Sequence, residues 1–100
     1  MIKHIILWDH LDGLSPEEKA KNATEIKSAL EALVGVVPGL INLKVYTDLL
    51  DSSNADIVLD TSLESREALE GYQTHPAHVK AATEVVRPRT QNRRCADYEA

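Results

Sequence analysis

Within Tyr72-Gln73-Thr74-His75-Pro76-Ala77-His78 the chain sets two imidazoles and one phenol inside seven residues. Imidazole exchanges a proton near neutral pH because its unperturbed pKa is about 6.5. A tyrosine hydroxyl orients such a ring, or donates to an oxygen that gains negative charge. Together they suit general acid–base catalysis, with an imidazole to take a proton and a phenol beside it to orient the ring or to donate. Pro76 opens a helix, so His78 falls in its first turn, where the helix dipole disfavours imidazolium. His4 and Trp8 share a strand face with Ile6, as a polar contact and a stacking surface for a ligand. Each residue also has a structural role open to it. His75 is placed to cap the helix that Pro76 starts. His78 and Tyr72 can be hydrogen-bonded wall and core residues, His4 a satisfied core histidine and Trp8 plain core.

His75 and His78 stand three apart, a spacing that ligates zinc on a continuous helix, but Pro76 breaks the register between them. No acid or thiol lies beside them in sequence, so no metal site is expected. There is no Gly-rich phosphate loop, no Ser-His-Asp set and no flavin motif, so no cofactor is expected.

A chain of 100 residues makes one domain, residues 1–100, and buries roughly 65% of its unfolded surface. With no Phe and one Trp, the core must come from Val, Ile, Leu and Ala. The net charge of −5 argues against nucleic acid. Arg87, Arg89, Arg93 and Arg94 crowd one segment. Asp51, Asp56, Asp60, Glu64, Glu67 and Glu70 crowd another, and both read as solvated surface or as an intermolecular seam. The single Cys95 excludes an internal disulfide, fits a reducing compartment and reads as a buried or half-buried filler of a strand. No apolar run is long enough to span a membrane, and the first residues are no signal peptide. The expected location is cytoplasmic.

The elements that must position these side chains follow from periodicity. Residues 2–10 alternate with both faces largely apolar, a central strand covered on both sides. Ser15, Pro16 and Glu18 form a capping box and open a helix to about Val34, with Ala23, Ile26, Leu30, Leu33 and Val37 as its apolar stripe. Gly35 ends it. Leu40 to Asp48 alternates as a strand with Ile41, Leu43, Val45 and Thr47 on one side. Asp56 to Ser62 is a third strand. Ser65 caps a helix that ends near Gln73, and Pro76 starts another that Pro88 closes. Gln91 to Glu99 is a last, oddly polar strand, with Arg93, Cys95 and Asp97 on one side. The order is the ferredoxin-like βαββαβ plan of the α+β class: a four-stranded antiparallel sheet with helices on one face. The other face of that sheet lacks cover, yet the first strand is apolar on both sides. A second copy packing sheet against sheet resolves the conflict, so a homodimer is expected.

Lys3-His4-Ile5-Ile6-Leu7, Gly13-Leu14-Ser15-Pro16-Glu17-Glu18, Val37-Pro38-Gly39-Leu40, Leu69 through His78 and Asp97-Tyr98-Glu99 together resemble the stress-responsive dimeric α/β-barrel (Dabb) family over nearly the whole chain. The resemblance implies a ferredoxin-like protomer in a dimer whose two sheets form a barrel. In one plant branch, a cofactor-free polyketide cyclase, the general base matches His78, its partner phenol Tyr72, and a first-strand histidine His4. That branch also draws aromatic residues into its pocket from the first helix, where this chain has only Ala23, Ile26, Leu30 and Leu33. The expectation is a small apolar pocket edged by His4, Tyr72 and His78, with Trp8 and His75 also available to a small apolar or aromatic carbonyl ligand. A non-enzymatic stress-response or structural dimer is the alternative, and cofactor-free monooxygenation of aromatics a third.

Overall fold

The computed structural model describes residues 1–100. Strand β1 (Ile2–His10) is central because both its faces can be covered. Ile2, His4, Ile6 and Trp8 are buried, while Lys3, Ile5 and Leu7 are half-buried. It pairs antiparallel with β3 (Ile57–Leu63) and with β4 (Thr90–Glu99), and β2 (Leu40–Tyr46) completes the order β2-β3-β1-β4. Helix α1 (Pro16–Glu31) starts at the expected capping box: Ser15 Oγ accepts from the Glu18 N–H at 3.1 Å, and the Glu18 carboxylate accepts from the Ser15 N–H at 3.1 Å. Helices α2 (Arg66–Thr74) and α3 (Pro76–Ala81) follow β3. The core lies between the helices and one sheet face, built on Ile6, Ile26, Leu30, Leu43, Val45, Ile57, Leu63 and Tyr72.

Four departures from the sequence reading have local causes. Helix α1 stops at Glu31, not near Val34, because the chain tightens into three-residue turns. Leu33 N–H bonds to the Leu30 carbonyl and Val34 N–H to that of Glu31, leading into Gly35 at φ +87°. In β2, Leu40 opposes Leu63 while Asn42 opposes Ser62. Ile41 is therefore a bulge residue, exposed, and Leu40 takes the buried place that simple alternation gave to Ile41. Pro88 does not close the second helix pair. After α3 the chain winds through one wide turn, Ala82–Val86, and one tight turn, Arg87–Arg89, which holds Pro88 in its first positions. Cys95 is exposed, not buried, because β4 is an edge strand and the helices do not reach over it. The same fact explains the polarity of β4.

Two backbone details hold the cavity end of the fold. Gly39 sits at φ +80°, and a Cβ there would lie 2.6 Å from the Ala68 Cβ; only glycine lets the chain entering β2 lie this close to α2. The β1–β4 ladder slips between Leu7 and Asp9. Asn92 takes up the slack at φ 55° and donates from its amide to Asp9 Oδ2 at 3.0 Å. Bulges of this kind re-aim neighbouring side chains, and the neighbour is Arg93, which reaches the cavity wall described next.

Candidate functional site

A cavity of about 350 Å³ opens between the sheet and the helices. Strand β1 contributes His4, Ile6 and Trp8, β3 Leu59, and α1 only Leu30. The far wall is Tyr72 and Gln73 of α2, His78 of α3, Ala82 and Val86 of the wide turn, with Arg87 and Arg93 at the polar side. The volume lies within the range of small-molecule sites. A larger hollow of about 470 Å³ at the other end of the sheet is an open polar depression between loops, with two apolar residues among its twelve. It lacks the apolar lining that binds a compact ligand, and none of the proton-transfer cluster reaches it.

Three rings run in series across the cavity. His4 and Tyr72 meet edge to face with centroids 5.9 Å apart, and Tyr72 and His78 are tilted at 4.3 Å. His78 sits in α3 because Pro76 restarts the helix, and its Nδ1 lies 3.2 Å from the Gln73 carbonyl oxygen. A carbonyl only accepts, so Nδ1 carries the proton and the neutral ring leaves Nε2 as a free acceptor. Burial is the main reason that the His78 pKa lies below the ordinary histidine value; the Gln73 carbonyl opposes this, and the charges of His4, Arg87 and Arg93 add to it. Desolvation, rather than the dipole of a six-residue helix, keeps this imidazole neutral.

Tyr72 is fully buried, and its hydroxyl has no hydrogen-bond partner. No group of the chain supplies the partner expected of a satisfied core phenol. Tyr72 therefore packs against His78 without hydrogen-bonding it; Gln73 does the orienting. Burial pushes the phenol pKa up, with Arg93 opposing, so the hydroxyl is a donor throughout the neutral range. His4 is buried at 2% exposure, and its Nδ1 pairs with Asp97 Oδ1 at 2.5 Å, the satisfied state foreseen for it. Trp8 is buried and forms part of the cavity wall.

His75 is not in the wall. It ends α2 and caps α3, its Nδ1 accepting from the Ala77 N–H at 3.0 Å. The ligand contact expected of His75 is thereby replaced by a capping bond, and a metal pair with His78 has lost one nitrogen.

Four contributors escaped the sequence reading: the Gln73 carbonyl, Arg87, Arg93 and Asp97. Local spacing carries no sign of the first two. The others were recoverable from alternation, since Arg93, Cys95 and Asp97 share the β4 face that a neighbouring β1 turns toward the helices. The Cys95 thiol is no activated nucleophile, because burial first, and then Asp97, hold its pKa up. It does stand beside His4 and Asp97, the group of metal-ligating side chains that the fold assembles.

A family model described as "Stress responsive A/B Barrel Domain" matches residues 2–100. The stress-response A/B barrel domain-containing protein HS1 of Arabidopsis thaliana is 30% identical over 92 residues, which cover 82% of this chain and 74% of that protein. A crystal structure of a dimeric protein of unknown function with a ferredoxin-like fold, from Bacteroides fragilis, superposes with a TM-score of 0.89 at 28% identity, covering 99% of this chain and 95% of the other. A hydroxynitrile lyase from Passiflora edulis shares the fold with a TM-score of 0.71 at 16% identity, covering 97% of this chain and 90% of the other.

Proposed function

The chain belongs to the stress-responsive A/B barrel domain family, and from that premise we propose that it binds a small apolar or aromatic carbonyl compound in the His4–Tyr72–His78 cavity. The observation that carries this reading is the Tyr72 hydroxyl. A buried hydroxyl without a partner costs about 1–3 kcal/mol, and a ligand oxygen that reaches it after a small shift of the cavity wall relieves it. Next to it, His78 offers a neutral ring whose free nitrogen accepts a proton. In the catalytic form of the proposal, Nε2 of His78 takes the proton next to the carbonyl, the electron pair moves onto the carbonyl oxygen, and the Tyr72 hydroxyl donates to that enolate. A lyase on the same fold is a precedent for small-molecule chemistry in this architecture.

The fit to long polyketides is poor, since α1 contributes Leu30 and no aromatic residue to the wall. A second reading, binding without turnover, is favoured by the missing hydrogen bond between Tyr72 and His78. In both readings the protein works as a homodimer through the sheet face away from the helices. The strand registers place Ile5, Leu7, Val58, Tyr46, Ala96 and Tyr98 on that face, and solved relatives of this fold are dimeric.

The test is a thermal-shift screen of small aromatic ketones and aldehydes against wild type, Tyr72→Phe and His78→Gln. A ligand that binds the folded state raises Tm by mass action. The expected result is a Tm rise in wild type that shrinks in Tyr72→Phe and His78→Gln. Equal shifts in all three proteins would place the ligand elsewhere.

A further inference from the structure

Cys95 and Asp97 lie two apart on one face of β4, and the β1–β4 register puts His4 directly opposite Asp97. Residues two apart on a strand share a face, and the cross-strand neighbour lies about 5 Å away, so three side chains converge on one point. Cys95 Sγ is 3.9 Å from His4 Nδ1 and 3.5 Å from Asp97 Oδ1, and that oxygen is 2.5 Å from the same Nδ1. We infer that His4, Cys95 and Asp97 form a binding site for one divalent transition-metal ion of the zinc class, with water in a fourth position.

The geometry suits such an ion. Zinc bonds of about 2.3 Å to sulfur and about 2.0–2.2 Å to nitrogen and oxygen put tetrahedral donors about 3.3–3.6 Å apart. The two distances to sulfur are already near that range. The His4–Asp97 pair must open by about 0.8 Å to reach it. The Asp97 side chain is 37% exposed on an edge strand and has room to turn, whereas His4, at 3%, is fixed. The charge fits as well. A coordinating thiol is deprotonated outright, so thiolate and carboxylate supply two negative charges to a dication and imidazole supplies none. Thiolate with imidazole favours zinc, cobalt or copper over magnesium or calcium, which prefer all-oxygen sites. Arg93, two residues from Cys95 on the same face, is the cation that opposes binding, though it also favours the thiolate.

Occupancy has a consequence for the cavity. In the metal-free protein, His4 Nδ1 donates to Asp97. A metal on Nδ1 takes the place of that proton, and Nε2 then carries the ring's only N–H. The site therefore stands without the carbonyl reading, yet adjoins the cavity on which that reading rests.

The experiment is a titration of the full chain, reduced with a phosphine in chelator-free buffer, with cobalt(II) followed by absorption and with zinc(II) followed by calorimetry. The expected result is one ion per chain, a thiolate-to-cobalt charge-transfer band in the near ultraviolet, and loss of that band when zinc is added. Cys95→Ser should abolish the band and weaken zinc at least about tenfold, the lower bound for losing even a supporting partner. Asp97→Asn should weaken zinc while keeping the band. Both residues are exposed, so both variants should fold, which circular dichroism checks. Absence of the band in wild type, or unchanged zinc affinity in Cys95→Ser, overturns the proposal.

Discussion

Tyr72 makes an unusual prediction at the scale of one residue. Its buried hydroxyl has no partner within the chain, so Tyr72→Phe should leave the ligand-free protein unchanged or more stable by about 1 kcal/mol, read as urea midpoint, while weakening carbonyl-ligand binding. A phenol that served only as core would show the reverse, lower stability and no effect on binding. The second prediction concerns pH. Burial lowers the His78 pKa in the folded state, so the unfolded chain binds its proton first as pH falls. Stability from this group is present above about pH 6.5 and declines as pH drops from there through the lower folded value. Base activity should follow the folded value and persist below the ordinary histidine midpoint. Proton-detected NMR of the imidazole across pH 4–8 measures it; a midpoint at or above about 6.5 would contradict the assigned environment. His78 was legible as a base candidate from residue type alone. Its tautomer was not, because the Gln73 carbonyl that sets it is a backbone group placed by the helix junction.

At the scale of elements, the junction at His75-Pro76 divides labour. His75→Ala should cost about 1 kcal/mol through loss of the N-cap, seen in a chemical-denaturation curve, and should leave ligand binding close to wild type. Loss of binding at unchanged stability would return His75 to the site. Gly39→Ala should be harsher, at least about 2 kcal/mol, because it combines a left-handed backbone with a contact of 2.6 Å to Ala68. The capping box at Ser15, the stop at Gly35 and strand alternation were readable because they depend on near neighbours in sequence. The bulges at Ile41 and Asn92 were not, because each is defined by the partner strand. Ile41 looked like a core residue for that reason. Asp97 lay between these cases: its face was readable, and its pairing with His4 needed the β1–β4 register.

At the scale of the molecule, the sheet has one face under the helices and one that a single protomer leaves open. Ile5, Leu7, Tyr46, Val58 and Tyr98 share that open face with a Lys3–Asp60 ion pair. Its apolar centre called for a second copy from the sequence onward, and dimeric relatives carry the same sheet. Leu7→Asp puts an uncompensated charge into that face and should convert dimer to monomer by light scattering, with a lower Tm, while the Cys95–Asp97 side of β4 is untouched. A dimer that survives Leu7→Asp would move the interface elsewhere. No helix is long and apolar enough to cross a membrane.

The central claim, in the catalytic form of the proposal, is that the His78 imidazole acts as a base on a carbonyl compound bound beside the Tyr72 hydroxyl. It is tested most directly by proton NMR of small aromatic methyl ketones in heavy water, following loss of the signal next to the carbonyl. Wild-type protein should accelerate exchange above the protein-free rate for at least one ketone, and His78→Gln should return that rate to background. Exchange at background with wild type, or equal acceleration by His78→Gln, would contradict the account.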